Sequence, residues 1–440
     1  MFKNAELFPM NTSVNASGNL EINGCDALDL VNQFGTPLYV YDENTIRHMA
    51  RSFIKEFTDL YPNTSVSYAS KAFLNKYIAQ IANEENLWLD VVSGGEVAVA
   101  QSAGFPTSKM DFHGNNKTPG ELSDAIDLGV GTIIVDGFHE LNLLNEIAKS
   151  KNITQGILLR LSPSIDAHTH GHTTTGILDV KFGFSIESGE SSIAIKQALQ
   201  SSNLDLRGVH FHLGSPIYEL EPYSKAIDRV LEYLYPFIKD EGLDLRDFSP
   251  GGGFAIGYEN NKLPPPISDY AKTITQSLIQ KCDSLNINHP RLIIEPGRSI
   301  VGRAGVALYT VGVIKNIPSV RTYVSLDGGM GDNIRPALYD SKYEAVVANK
   351  MDSLNLSSVE TVTLAGKYCE SGDLLVKDIS LPKIASGDVV AIPASGAYCF
   401  AMSSNYNMNP RPAIIIISNG KPKLIRKRET YEDLMALDVI

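Results

Sequence analysis

SVSYAS (Ser65–Ser70), WLDVVS (Trp88–Ser93), MDFHG (Met110–Gly114), TIIVDG (Thr132–Gly137), GILLRLS (Gly156–Ser162), RGVHFHLG (Arg207–Gly214), DFSPGGG (Asp247–Gly253) and RLIIEPG (Arg291–Gly297) are short apolar runs set at intervals along one segment. Between them lie amphipathic stretches such as NKYIAQIANEEN (Asn75–Asn86) and GELSDAIDLG (Gly120–Gly129), with apolar residues three and four apart. Strand–helix alternation of this kind builds βαβ units and parallel strands. Eight such units in about 230 residues match a (β/α)8 TIM barrel, which typically needs about 250. An open doubly wound sheet would show fewer strands and a GxGxxG turn after the first, and that turn is missing.

After Gly297 the rhythm changes. VALYTVGVIK (Val306–Lys315), TYVSLDGG (Thr322–Gly329), ETVTLAG (Glu360–Gly366), DVVAIPAS (Asp388–Ser395) and AIIIIS (Ala413–Ser418) are β-branched runs bounded by Gly, Pro, Asn and Asp. They predict a C-terminal β-domain, of sandwich or barrel type. The first forty residues hold two short candidate strands, LEING (Leu20–Gly24) and TPLYVYD (Thr36–Asp42), which fit either unit. The division expected is a barrel over 40–296 and a β-domain from 1–39 plus 297–440.

The 440 residues are 43% hydrophobic and 20% charged, which excludes a disordered chain. Ala413–Ile417, among the longest purely apolar runs, falls far short of the ~18 residues of a membrane span. The N-terminus, MFKNAELFPM, lacks the basic-then-apolar order of a secretory signal, and the four cysteines form no CxxC pair. These features predict a reduced, cytoplasmic protein. A net charge of −12 argues against nucleic acid as a partner. The basic stretch Lys421–Arg428 reads as a solvated edge strand.

In a (β/α)8 barrel the reacting groups gather at the C-terminal ends of the strands. Those ends carry Lys71, Ser93, His113 with Asn115, Asp136, Arg160, His212, Gly251–Gly253, and Glu295 with Arg298. An amine such as Lys71, kept partly unprotonated at a barrel mouth, forms imines; a surface lysine is the plain alternative. Consecutive glycines let backbone N–H groups approach a phosphate, although a tight turn alone also explains them. EPGR (Glu295–Arg298) adds a carboxylate, a rigid turn and an arginine suited to bidentate oxyanion binding. Lysine, glycine nest and carboxylate together meet the needs of pyridoxal 5′-phosphate, with Glu295 at the ring nitrogen and His212 over one ring face.

YASKA (Tyr68–Ala72), HFHLGS (His210–Ser215), SPGGGF (Ser249–Phe254), EPGRS (Glu295–Ser299), CESGD (Cys369–Asp373) and GAY (Gly396–Tyr398) jointly resemble the alanine-racemase-fold (type III) pyridoxal-phosphate decarboxylases. HGNNKTPGEL (His113–Leu122), DAHTHGHTTTGILDVKFG (Asp166–Gly183), DGGMGDNIRPALY (Asp327–Tyr339), AMSSNYNMNPRP (Ala401–Pro412) and IRKRETYEDL (Ile425–Leu434) are similar to the branch that decarboxylates meso-diaminopimelate to L-lysine. The resemblance runs from about Thr36 onward, with the motifs in the same order.

That resemblance implies roles. Lys71 would carry the cofactor, and His212 would stack on its ring with Ser215 near the phosphate. Gly251, Gly252, Gly253, Pro296, Gly297, Arg298 and Tyr398 would complete phosphate binding. Glu295 would contact the ring nitrogen, and Asp90 would support the neighbourhood of the lysine. Cys369 would be the proton donor, reaching into a partner's site, so the enzyme would be a homodimer with shared active sites. Arg298, Arg335, Tyr339, Glu370 and Tyr398 would contact substrate. Pro216, where the family usually has Gln, and Phe254-Ala255 are departures that touch no group with a chemical role.

Two rival functions differ in identifiable residues. A decarboxylase of ornithine, lysine, arginine or a carrier-bound amino acid needs no arginine for a distal carboxylate, so Arg335 argues against it. An inactive regulatory homologue should have lost Lys71 or Cys369, and both are present. His168, His170 and His172 alternate like a metal tract, but the surrounding Gly and Thr favour a loop over the barrel mouth, and no metal is expected. Cys399 reads as packing, Cys25 and Cys282 as inert.

Overall fold

A computed structural model describes residues 2, 4–166, 181–352 and 359–440. His168, His170 and His172 lie outside the described residues. The chain forms two units, one of Met49–Ala255 with Pro264–Gly297, the other of Met1–His48, Ile256–Leu263 and Arg298–Ile440.

In the first unit the strands Thr64–Ala69, Trp88–Val91, Met110–Phe112, Thr132–Val135, Gln155–Ser162, Leu204–His210, Asp247–Gly251 and Arg291–Ile294 pair in that order. Every pairing is parallel, and the last strand closes on the first. All eight runs of the sequence are barrel strands. Gln155–Ser162 is buried along its whole length, as a parallel strand covered on both faces must be. Helix starts are fixed by side-chain caps that satisfy orphan N–H groups. Ser93 accepts from the Glu96 N–H at 3.3 Å, and Thr118 with Glu121 forms a capping box on the helix Pro119–Asp127. Ser93 is thereby accounted for as a cap. Register sets Asp90 beside Asp111 on neighbouring strands.

In the second unit the strand Leu38–Asp42 lies between Gly305–Ile317, antiparallel to it, and Ala413–Ser418, parallel to it. Leu38, Val40, Val306, Leu308, Ile415 and Ile417 from these three strands share one core. Both N-terminal candidate strands belong here, Leu20–Ile22 pairing with Thr12–Val14 and Cys25–Asp26. Among the described residues Lys421–Arg426 pairs with Ala413–Ser418 alone and exposes Lys421 and Lys423, the solvated edge expected. The strands Val359–Ala365 and Leu374–Pro382 form a hairpin whose connection carries CESGD. No helix among the described residues is long and apolar enough to cross a membrane.

Candidate active site

Lys71 stands in a 3-10 turn, Ser70–Ala72, directly after the first barrel strand, and its side chain is exposed. The Ser70 hydroxyl donates to the carbonyl of Asp90 and ties that turn to the next strand. Two further contacts fix the turn from the other side. The Ala69 N–H donates to the Pro296 carbonyl at 3.2 Å, and a Cβ on Gly297 would lie 2.8 Å from that of Ala69. Pro296 and Gly297 are therefore pressed against the end of the strand that leads into Lys71.

Glu295 follows the last barrel strand and is buried. Ser249 Oγ donates to its Oε1 at 2.7 Å, His210 Nε2 lies 3.2 Å from its Oε2, and His113 Nε2 lies 3.8 Å from Oε1. Burial by itself would raise this carboxyl. The imidazoles of His210 and His113 and the hydrogen bonds from His210 and Ser249 outweigh it, and hold Glu295 well below the usual carboxylate range. Its neighbours go the other way. Burial and then the charge of Glu295 push Asp90 up, against the pull of Lys71, and push Asp111 up to about 7. The interior thus sets a carboxylate held low beside two that burial and its charge push up.

The glycine loop is required by crowding. A Cβ on Gly252 would lie 2.0 Å from the Glu295 carbonyl, on Gly253 2.5 Å from that of Gly214, and on Gly251 2.8 Å from His212 Nδ1. Gly251 and Gly253 also have φ of +75° and +103°, where side chains are strained. This closeness lets the Gly252 N–H donate to His212 Nδ1 at 3.2 Å, so a neutral His212 carries its proton on Nε2. Burial, and after it the charge of Lys71, hold that ring well below its ordinary pKa. Ser215 is half-buried just beyond Gly214.

In the second unit, Arg298 Nη1 donates to the Tyr258 hydroxyl at 2.6 Å, and the guanidinium lies 4.7 Å from the centre of the Tyr398 ring. Tyr398 itself has φ of +60°, unusual for a residue with a side chain. Arg335 is buried, donates to the Tyr343 hydroxyl, and lies 4.7 Å over the Tyr258 ring. Among the described residues no carboxylate pairs with Arg335. Tyr339 ends the short helix Arg335–Tyr339 and is half-buried. Cys369 and Glu370 are exposed, and the Cys369 N–H donates to Asn407 Oδ1 at 2.9 Å. Cys399 is buried 3.4 Å from the Tyr343 hydroxyl, and burial pushes its thiol up, in keeping with packing.

The barrel thus brings together Lys71, Asp90, His212, Gly251–Gly253 and Glu295 from the predicted set, and the β unit brings together Arg298, Arg335 and Tyr398. His210, Ser249 and Tyr258 escaped the sequence reading. For His210 a signal existed, since alternation in HFHLGS turns it and His212 to the same face of a strand.

Pyridoxal 5′-phosphate fits these residues. The barrel offers an amine for an aldehyde, an ionised carboxylate for a ring nitrogen, and glycines for a phosphate. Asp90 Oδ1 and His113 Nε2 are buried 3.7 Å apart without a hydrogen-bond partner among the described residues, beside Glu295. A polar ligand entering with its own donors would satisfy such atoms. The class is that of the pyridoxal-dependent decarboxylases: residues 44–302, which span the parallel barrel, match the family described as pyridoxal-dependent decarboxylase, pyridoxal binding domain. Within that class, the chain belongs to the diaminopimelate decarboxylase family. It is 44% identical to the diaminopimelate decarboxylase of Halalkalibacterium halodurans, over 98% of each chain. Against that of Bacillus subtilis it is 45% identical, over 97% of this chain and 96% of the relative. The crystal structure of diaminopimelate decarboxylase from M. jannaschii superimposes with a TM-score of 0.91 at 36% identity, over 98% of each chain, and the same enzyme has been solved in complex with L-lysine.

Proposed function

We propose that this enzyme converts meso-2,6-diaminopimelate to L-lysine and CO2, the last step of lysine biosynthesis, with Lys71, His212, Glu295 and Cys369 as its catalytic residues. Bound pyridoxal 5′-phosphate supplies an aldehyde that captures the substrate amine and a protonated ring that draws off the electron pair left by departing CO2. Lys71 Nζ would hold the aldehyde carbon, with buried Asp90 supporting its turn. Glu295, kept ionised by His210 and Ser249, would keep the ring nitrogen protonated. Neutral His212, its Nδ1 engaged by Gly252, would cover one ring face. Ser215, Gly251–Gly253, Pro296, Gly297, Arg298 and Tyr398 would bind the phosphate. Cys369 Sγ would deliver a proton to the carbon that has lost its carboxylate.

One observation carries the choice of substrate: Arg335 is a buried cation with no carboxylate partner among the described residues. The distal L-centre of meso-diaminopimelate brings a carboxylate for Arg335 and Arg298 and an ammonium for Glu370, with Tyr339 and Tyr398 as further contacts. The exposure of Cys369 and Glu370 supports a homodimer in which each chain lends CESGD to its partner's site. Four free cysteines support a reducing, cytoplasmic location.

The test is CO2 release from meso-diaminopimelate beside L-lysine and L-ornithine, in wild type and Arg335→Ala. Hydrogen bonds to charged groups are worth ~1.5–3 kcal/mol, so Arg335→Ala should lower kcat/KM for diaminopimelate by one to two powers of ten. Any residual decarboxylation of lysine at its α-carbon, where no distal carboxylate exists, should change little. Equal losses for both substrates, or faster release from ornithine by wild type, would return the diamine-forming alternative.

A further inference from the structure

We propose that Tyr258 is a positioning residue for specificity: it sets Arg298 and Arg335 for one ligand carboxylate, and so favours ligands that carry a distal carboxylate over those that lack it. This rests on the substrate proposed above. Tyr258 lies in Ile256–Leu263, which follows the glycine loop in sequence and clusters with the β unit.

Each of the two guanidinium groups meets a nearby aromatic face and a phenol oxygen. For Arg335 the face is Tyr258, 4.7 Å to the ring centre, and the oxygen is that of Tyr343. For Arg298 the face is Tyr398, also at 4.7 Å, and the oxygen is that of Tyr258, 2.6 Å from Nη1. Tyr258 takes part in both pairs. Its ring also packs edge-on against Tyr343, with centroids 5.3 Å apart at 78°, so the phenols brace one another.

The choice of partner matters chemically. A ring face and a phenol oxygen fix a guanidinium in place without cancelling its charge. An acidic side chain in the place of Tyr258 would form the very ion pair that a ligand carboxylate has to form. Arg335, stacked on the Tyr258 ring and spending an N–H on the Tyr343 phenol, keeps coplanar donors for bidentate binding. Two cations gathered on one ring repel each other, and an arriving carboxylate relieves that repulsion. The arrangement is therefore poised for an anion and indifferent to a ligand end that carries only an amine.

L-Lysine and cadaverine separate these cases, because L-lysine, bound as the product, still carries the distal carboxylate and cadaverine is the same molecule without it. Binding of each to the holoenzyme is read from the change in cofactor absorbance. Tyr258→Leu should weaken L-lysine by about tenfold or more and leave cadaverine within about twofold. Tyr258→Phe, which keeps the ring under Arg335 and loses only the phenol, should show a smaller loss of the same kind. For meso-diaminopimelate both variants should raise KM with kcat nearly unchanged. An unaltered melting temperature and cofactor spectrum in Tyr258→Phe will exclude misfolding as the cause. If both Tyr258 variants weaken the two ligands alike, or neither, while Arg335→Ala weakens L-lysine selectively, the role of Tyr258 falls by itself. If Arg335→Ala also fails to distinguish the ligands, the assignment of the distal carboxylate to these arginines falls, and the role of Tyr258 with it.

Discussion

Glu295 Oε2 and His210 Nε2 sit 3.2 Å apart inside the barrel, and this contact helps keep a buried carboxylate charged. Burial would otherwise push such a carboxylate up, as it does Asp90 and Asp111. The charge is thus maintained by the residues around it at a fixed location, ahead of any ligand.

Glu295→Gln keeps the shape of that side chain, removes its charge and turns one of its two acceptor oxygens into a donor amide. Loss of one preorganised electrostatic group of this kind lowers kcat by about 10²–10³. We expect a fall in that range with KM for meso-diaminopimelate nearly unchanged, together with a shifted cofactor absorbance band. Full activity in the variant would remove Glu295 from the ring nitrogen.

Lys71 should be the lysine that bears the cofactor. Lys117, also just past a barrel strand, is already committed, donating to Gly114 O, Ile134 O and Glu140 Oε1 at 2.8, 2.8 and 2.7 Å, which uses all three of its protons. The holoenzyme should be yellow, and borohydride should abolish the visible-edge band. Peptide mapping of the reduced protein should find the pyridoxyl label on Lys71. A label on any other lysine would overturn the cofactor assignment.

If Cys369 and Glu370 complete a partner's site, inactive Lys71→Ala chains mixed with inactive Cys369→Ala chains should recover activity, because a mixed dimer keeps one intact site. Subunit exchange is verified by mass, and activity is measured before and after. No recovery once exchange is complete would count against shared sites.

Asp111 makes a pH-dependent contribution. Its folded-state pKa of about 7 lies above the ordinary value of 3.8, so between these limits the folded chain binds more protons here than the unfolded one. Stability from this group is therefore fully present only in acid, declines as pH rises toward 7, and is level above that. Asp111→Asn, which cannot ionise, should melt at a higher temperature than wild type at pH 8, and the gap should narrow toward pH 5. A gap that stays constant with pH would show that Asp111 does not titrate in the fold.

The barrel was legible because all eight strands carry their own apolar runs and end on polar residues, and parallel strands buried on both faces leave that pattern in plain view. Lys71, Glu295 and the glycines were legible for the same reason, each standing at the end of such a run. Tyr258 was not. It lies in a loop between barrel elements in sequence, yet Ile256–Leu263 joins the β unit, and no local pattern reports that long-range packing. The strand Leu374–Pro382 was also missed, since exposed Lys377 and Asp378 break its apolar alternation. The opposite pKa shifts of Glu295 and Asp90 depend on distances of a few ångströms among strands far apart in the chain.

The strand Leu38–Asp42, buried along its length, finds its strand neighbours among the described residues in Gly305–Ile317 and Ala413–Ser418. During translation it leaves the ribosome long before either. At about 5–20 residues per second, the wait for Ala413–Ser418 is roughly 20–75 s. Every strand of the barrel has been synthesised within that interval, so the barrel can fold while five apolar-rich residues with open hydrogen-bonding edges remain unpaired. A nascent chain at that stage offers a site for chaperones and for misassembly alike, and a message truncated before Ala413 yields a product whose β unit cannot close.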